Sequence, residues 1–236
     1  MSDTKQLKGW KKLCADLKPM SFSQKVDHLW TYYKEWLFVV FLLVVTVSAT
    51  VAGIKNTSKE VVMSGMLVNI SISQQGMDYL RIDYLDAIGA DPEKQKVEMD
   101  YTNFESLADP TNSEDNYSKS MILIARVTGG MLDYAILDKL GLEFYLTQDV
   151  FRDLREFFTE EELEELAPYL IYAQVEGEED RWPMAVDITH LPFVKDTMKT
   201  EEVVYFTLSG NVRSEEACRS IWEYINSWGA RGAPPV

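Results

Sequence analysis

The sequence predicts an α/β protein in which an N-terminal transmembrane helix precedes an extracytoplasmic domain with a mostly parallel sheet flanked by helices. Three observations support this prediction. Residues 36–54 form an apolar run without charge, lysines cluster before that run, and strand-like and helix-like apolar patterns alternate after it. Strands that alternate with helices are typical of a parallel sheet with crossover helices.

The apolar run, residues 36–54, reads WLFVVFLLVVTVSATVAGI. At a rise of about 1.5 Å per residue, a helix of this length matches the hydrocarbon core of a bilayer, which is about 30 Å thick. Aromatic residues at 30–36 and Lys55 fit the two membrane interfaces. We therefore expect an uncleaved signal-anchor. A cleaved signal peptide is the alternative, because small residues near the end of the run would permit cleavage.

The formal net charge of −15 is unevenly distributed along the 236 residues. Residues 1–35 carry seven lysines and four acidic residues, a net charge of +3, and the rest of the chain carries −18. Because lysine-rich flanks remain inside the cell, we expect a cytoplasmic N-terminus, a single-pass chain in the cell membrane and an extracytoplasmic C-terminal domain. The acidic balance argues against a nucleic-acid partner.

The chain divides by composition into five segments. The lysine-rich arm has apolar residues at helical spacing, so it is interpreted as an amphipathic helix on the inner leaflet or as an orientation signal alone. The expected segments are the arm (1–35), the transmembrane helix (36–54), a linker (55–59), the α/β domain (60–229) and a disordered tail (230–236).

The first half of the domain is predicted to run strand, helix, strand, helix, strand. Period-two patterns with β-branched residues indicate the strands, and apolar residues at helical spacing indicate the helices. Gly89 and the pair at 129–130 are expected to end the two helices. The expected elements are a strand at 61–73, a helix with Met77, Leu80, Tyr84 and Ala87/Ile88 inward, a strand at 96–101, a loop at 109–116, a helix with Tyr117, Met121, Ile124/Ala125 and Thr128 inward, and a strand at 132–137.

The second half continues with short helices and strands. Thr159 and Glu162 have the spacing of a capping box, and Ser214 is expected to cap the last helix. The other expected elements are a helix at 150–158 with Phe151, Leu154 and Phe158 inward, strands at 170–175, 184–188 and 203–208, and a last helix with Cys218, Ile221, Trp222, Ile225 and Trp228 inward.

Five stretches carry a resemblance to known proteins. YSKSMILIARVTGGMLDYAILD (117–138), FYLTQDVFRDLREFFTEEELEEL (144–166), WPMAVDITHLPF (182–193) and VVYFTLSGNVRSEEACRSIWEYI (203–225) resemble parts of solute-binding proteins with the two-lobed type 2 periplasmic-binding fold. SFSQKVDHLWTYYKEW (21–36) resembles the juxtamembrane stretch of uncharacterised single-pass membrane proteins of Gram-positive anaerobic bacteria. The resemblance implies an extracellular solute-binding fold. The chain is too short for two complete lobes, so a reduced, single-lobe form is expected.

The sequence contains no motif that specifies catalysis or a cofactor. Nucleophilic catalysis needs a base beside a serine or cysteine, and after the apolar run the one histidine is His190, with no GxSxG motif before it. The acidic runs at 160–166 and 176–180 lack the calcium-loop pattern, and no nucleotide-binding glycine motif is present. We therefore expect a non-enzyme without cofactor or metal.

A ligand, if one binds, is expected where the carboxyl ends of the strands face a crevice, because α/β folds hold ligands there. Core packing would explain the same side chains equally well. The candidate ligand-binding residues are Tyr134, Asp138, Trp182, Asp187 and His190.

Three functions are compatible with the sequence. The first is a membrane-anchored extracytoplasmic binding or interaction module that works with the lipid bilayer and another membrane protein or transporter. The second is a solute-binding receptor that delivers a small-molecule ligand to a transporter. The third is a cell-envelope hydrolase.

Overall fold

The structure is a computed structural model that describes residues 18–19, 21–103, 113–145, 150–174 and 181–231. It consists of two compact units, Met1–Ser58 and Lys59–Val236. Most of the expected arm, with Cys14, and most of the expected tail lie outside the described residues.

The first unit contains one long helix, α1 (Phe22–Thr57), of 36 residues. Every side chain from 38 to 51 is exposed, and Phe38 and Phe41 each expose 64% of their surface. Within the described stretches of the chain, no helix combines the length and the apolar character that crossing a membrane requires. The side chains of Trp36, Leu37, Ala52 and Ile54, which belong to the predicted span, lie outside the described residues.

The second unit is built on a six-stranded mixed sheet with the strand order β2-β1-β3-β6-β5-β4. Its strands are β1 (Glu60–Val68), β2 (Gln95–Thr102), β3 (Tyr134–Leu137), β4 (Leu170–Gln174), β5 (Arg181–Asp187) and β6 (Tyr205–Leu208). The α/β class is confirmed, but the expectation of a mostly parallel sheet is wrong. Strands β2 and β3 pair with β1 in parallel, whereas β3–β6, β6–β5 and β5–β4 are antiparallel pairs. Residues 175–180 are too few for the crossover that a parallel β4–β5 pair would need.

The helices of the second unit connect and flank these strands. Helix α2 has three consecutive segments, Gln74–Asp78, the π-helical Tyr79–Asp83 and Tyr84–Ala87. The others are α3 (Ser113–Thr128), α4 (Lys139–Tyr145), α5 (Glu160–Leu166), α6 (Pro192–Thr197), α7 (Glu215–Asn226) and α8 (Trp228–Arg231). The predicted capping box at Thr159 and Glu162 is present at the start of α5, and Ser214 accepts a hydrogen bond from the backbone N–H of Ala217 at the start of α7.

The core consists of two apolar clusters on opposite faces of the sheet. Met63 and Leu67 belong to one cluster, whereas Met66 and Val68 belong to the other, because successive side chains of a strand point to opposite faces. Helices α2 and α7 contribute to the first cluster, and helices α3 and α4 contribute to the second. The predicted burial of the last helix is confirmed, since all five predicted residues are buried, although Trp228 lies in α8 rather than in α7.

Helix α3 turns a different face to the core from the one that the sequence predicted. The residues expected to point inward, Tyr117, Met121, Ala125 and Thr128, are exposed, and Ile124 is only partly buried. The buried residues of this helix are Asn116, Ser120, Leu123 and Val127. The helix also begins at Ser113, inside the loop that was expected at 109–116.

The prediction of a helix at 150–158 is wrong, but the prediction of which of its side chains are buried is confirmed. Phe151 forms an isolated antiparallel bridge with Ser209, and only a single 3₁₀ turn, Leu154–Glu156, follows. The backbone N–H of Arg152 donates to the Leu208 carbonyl oxygen at 3.0 Å, so this segment extends the pairing at the end of β6. Phe151, Leu154 and Phe158 are nevertheless all buried.

Candidate functional site

The site is located by the path of the chain through the parallel strands. From β1 the chain passes through α2 to β2 on one side, and from β2 it passes through α3 to β3 on the other side. Because α2 and α3 contribute to different core clusters, they cover opposite faces of the sheet. Helix α4, which follows β3, contributes to the same core cluster as α3, so the connections that leave the carboxyl ends of β1 and β3 pass to opposite faces of the sheet. Such a switch point is where open α/β sheets form a crevice that holds ligands.

Asn69 and Asp138 bridge this switch point. Asn69 directly follows β1 and has a positive φ of 58°, a backbone conformation that asparagine tolerates better than most residues. Its side-chain amide Nδ2 lies 3.1 Å from each carboxylate oxygen of Asp138, which directly follows β3. Asp138 also accepts a hydrogen bond from the backbone N–H of Gly141 at 2.7 Å, so it caps the start of α4. Asp138 is therefore held rigidly by the protein itself.

The crevice beside this bridge has a volume of about 700 Å³. That volume falls within the range of small-molecule sites, roughly 300–1,000 Å³. Two backbone hydrogen bonds tie the loop after β1 to the end of α6 and the loop that follows it. Ser73 N donates to Thr197 O at 2.8 Å, and Lys199 N donates to Ser71 O at 3.2 Å. The described lining residues are Asn69, Ser71, Asn103, Asp138, Leu140, Lys199, Thr200, Glu201 and Glu202.

Several carboxylates lie near Tyr205 at this edge of the sheet. Tyr205 begins β6 opposite both Leu137 and Asp187. Burial, and then the negative charges of Asp187, Glu143 and Asp138, raise the pKa of the Tyr205 phenol. The carboxylates of Asp187, Glu143 and Asp138 thus lie close enough to the Tyr205 phenol to disfavour its ionised form.

Of the five sequence-predicted residues, Asp138 alone lines the crevice. Tyr134 lies in the core with no exposed surface, and its hydroxyl contacts the Met99 sulfur at 3.1 Å. The Tyr134 ring occupies the space over Gly65, where an added Cβ would lie 2.5 Å from the ring. Tyr134 therefore packs in the core and does not line a surface that a ligand could contact.

The other three predicted residues lie on or after β5. Asp187 ends the strand, and its Oδ1 accepts hydrogen bonds from the Thr189 backbone N–H at 2.9 Å and from the Thr189 hydroxyl at 2.6 Å. Trp182 is partly buried against the second core cluster. His190 is exposed and stacks on Tyr169, with ring centroids 4.0 Å apart. None of the three lines the crevice among the residues described there.

Sequence reasoning missed Asn69 and the acidic loop that contains Glu201 and Glu202. The signal for Asn69 was its position, since it is the polar residue that directly follows the first parallel strand. No local sequence pattern marks the loop. It is brought to the crevice by a contact between distant segments, the isolated β-bridge between Ile72 and Met198.

Two further features bear on possible chemistry. Cys218 is fully buried, and burial, followed by the charge of Asp133, raises the pKa of its thiol to about 12. A buried neutral thiol is a poor nucleophile. Across the described residues, no group of three or more His, Cys, Asp or Glu side chains is arranged to hold a metal ion.

Comparisons with protein-family models, with curated proteins and with solved structures gave no match.

Proposed function

We propose that this chain is a non-enzymatic, membrane-anchored binding or interaction module that is accessory to another membrane protein or transporter. In this proposal α1 is the anchor, and the α/β unit lies outside the cell. The observation that supports the anchor is the exposed run at 38–51, in which all side chains except those of Thr46, Ser48 and Thr50 are apolar.

An exposed run of this kind favours lipid over water as its surroundings. Soluble proteins seldom expose contiguous apolar patches above a few hundred Å². Polar groups in hydrocarbon need partners within the helix. The hydroxyls of Thr46 and Thr50 have such partners, because they donate to the carbonyl oxygens of Leu42 and Thr46, each at 2.8 Å.

The distribution of charge supports the proposed orientation. The seven lysines of residues 1–35 all precede the apolar run, and the strongly acidic part of the chain follows it. Lysine-rich flanks close to a membrane helix remain in the cytoplasm.

A second candidate, a solute-binding receptor, is supported by the crevice at the carboxyl ends of β1 and β3. The crevice occupies the position at which α/β proteins hold small ligands, and its size suits one. The resemblance to solute-binding proteins favours the same function. In this case the module would present its ligand to a transporter.

Alkaline carbonate extraction of membranes from cells that express the chain tests the anchor. We expect the chain to stay in the membrane pellet and to be released by detergent. The double variant Val44→Arg with Val45→Arg should appear in the soluble fraction, because each arginine at the centre of a membrane helix costs about 2.5–3.5 kcal/mol.

The matched control is Ile82→Arg with Ile122→Arg, which places the same charges at exposed apolar positions of the α/β unit, 62% and 59% exposed. This control should remain in the pellet. Release of the unmodified chain by carbonate, or equal release of both double variants, would contradict the proposed anchor.

A further inference from the structure

We propose that the exposed face of helix α3 binds a second copy of this chain, so that two α/β units associate through an antiparallel pair of α3 helices. This inference goes beyond the proposed function, because α3 belongs to the α/β unit and its association does not require the anchor. It is carried by three features of the face, namely its lack of charge, its apolar area and the symmetry of its residues.

The exposed face of α3 is uncharged along its last three turns. The two charged residues between 117 and 128, Lys119 and Arg126, are only partly exposed, and every residue of that stretch is described. Helices α5 and α7 differ, because their described exposed positions are glutamates with one asparagine. The exposed residues of the α3 face are Tyr117, Ser118, Met121, Ile122, Ala125 and Thr128.

This absence of charge favours contact between two copies. Residues 36–236 carry a net charge of −18, so two α/β units repel each other wherever their carboxylates meet. The α3 face brings no carboxylate to such a contact. Two acidic units can therefore approach each other through this face at little electrostatic cost.

The face also offers enough apolar area for a reversible dimer. Tyr117, Met121 and Ile122 expose 64%, 44% and 59% of their surface. Met131 continues the face, because its Cε would lie 3.1 Å from a Cβ at Gly129, and it exposes 52%. At about 200 Å² for a large side chain, these four residues expose about 400–500 Å² in each copy. Two copies would bury about 900 Å², the size of a weak interface from which free copies continually separate.

The residues of the face are arranged symmetrically about a point between Met121 and Ile122. Ser118 and Ala125 are equally far from that point, and at about 3.6 residues per turn they lie along the middle of the face with Met121 and Ile122 on its two sides. A two-fold axis through this point makes the helices antiparallel. It places Ser118 of each copy against Ala125 of the other, and it brings Met121 and Ile122 each against its own counterpart. The two small residues allow the helix axes to approach to about 8 Å.

Two other occupants fit this face less well. Helices that lie on a bilayer carry lysine and arginine beside their apolar side. The guanidinium of Arg126 is instead paired with the carboxylate of Asp100 on β2. A basic protein would find complementary charge on the glutamates of α5 and α7, and none on the exposed face of α3.

Photo-crosslinking of the full chain in living cells identifies the occupant. The photoreactive residue p-benzoylphenylalanine replaces Met121, and mass spectrometry identifies the products after irradiation. We expect a covalent pair of two copies of the chain. The same replacement at Ile82, which is 62% exposed on α2 between charged neighbours, should give no such pair. Absence of the pair at Met121, or adducts with lipid or another protein alone, would overturn the proposal.

Disulfide formation tests the antiparallel arrangement in the full chain with Cys14→Ser and Cys218→Ser. Under a mild oxidant, Met121→Cys should form the disulfide-linked dimer at least about tenfold faster than Ser118→Cys, because sulfurs that lie far apart cannot be bridged. In the antiparallel pair, residue 118 lies roughly 10 Å from its counterpart along the helix axis. Equal rates at the two positions would overturn this arrangement.

A charge at the two-fold axis should separate the copies. Ile122→Glu brings two carboxylates together there and should reduce crosslinking through Met121→Cys about tenfold. The matched control is Ile82→Glu, which adds the same charge at an equally exposed isoleucine and should leave crosslinking unchanged. Unchanged crosslinking with Ile122→Glu, or an equal loss in the control, would contradict the assignment to the α3 face.

Discussion

Asp133 joins three segments of the α/β unit at the start of β3. Its carboxylate accepts hydrogen bonds from the backbone N–H groups of Ser64 at 2.8 Å and Arg213 at 2.9 Å, and the Arg213 guanidinium lies 3.4 Å away. The Asp133 side chain is 1% exposed, whereas that of Arg213 is 30% exposed. A buried carboxylate with this many partners stabilises the fold mainly because it accepts hydrogen bonds from groups that would otherwise be buried without a partner.

Removal of this carboxylate should therefore destabilise the fold. Asp133→Ala is expected to lower the free energy of unfolding by about 3 kcal/mol, because it leaves two backbone N–H groups without their acceptor. Urea unfolding of the full chain in micelles, followed by tryptophan fluorescence, measures the loss. The control Asp86→Ala, at an exposed position of α2, should change stability by less than about 0.5 kcal/mol. A loss no larger than that of the control would show that Asp133 is dispensable.

The helices and strands differ in how far local sequence determines them. The capping box of α5, the glycines with positive φ after α2 and α3, and most strand positions were predictable, because each depends on neighbouring residues. The orientation of α3 was not predictable, since residues 121–124 are all apolar and hydrophobic periodicity cannot choose between its faces. The segment at 150–158 was missed because its conformation depends on a long-range bridge to Ser209.

The start of α7 offers a test at the scale of one element. Ser214 is its N-cap, and the helix carries a large part of the first core cluster. Ser214→Ala should lower the free energy of unfolding by about 1 kcal/mol, whereas Ser214→Asp, which preserves a capping acceptor, should change it by less than about 0.5 kcal/mol. Urea unfolding compares the two variants. Equal losses would show that the side chain does not act through capping.

At the scale of the whole molecule, composition separates a lysine-rich start and an apolar helix from an acidic α/β unit. The α/β class could be predicted from alternating patterns, and the mixed sheet could not, because strand direction in the second half depends on which strands become neighbours. Asp138 could be placed at the crevice from its position after β3. The position of the loop that contains Glu201 and Glu202 could not be predicted, because hydrogen bonds between distant segments bring this loop to the crevice.

The proposed function requires that α1 crosses the membrane and leaves the acidic unit outside the cell. Its most direct test is thiol labelling of intact cells that express the variant Ser118→Cys with Cys218→Ser. Position 118 is exposed on α3, and Cys14 precedes the apolar run. A membrane-impermeant maleimide should label the thiol at position 118 on intact cells and should reach Cys14 only after the membrane is opened. Labelling of Cys14 with protection of position 118 would show the opposite orientation, and protection of both until the cells are opened would show that the acidic unit does not lie outside.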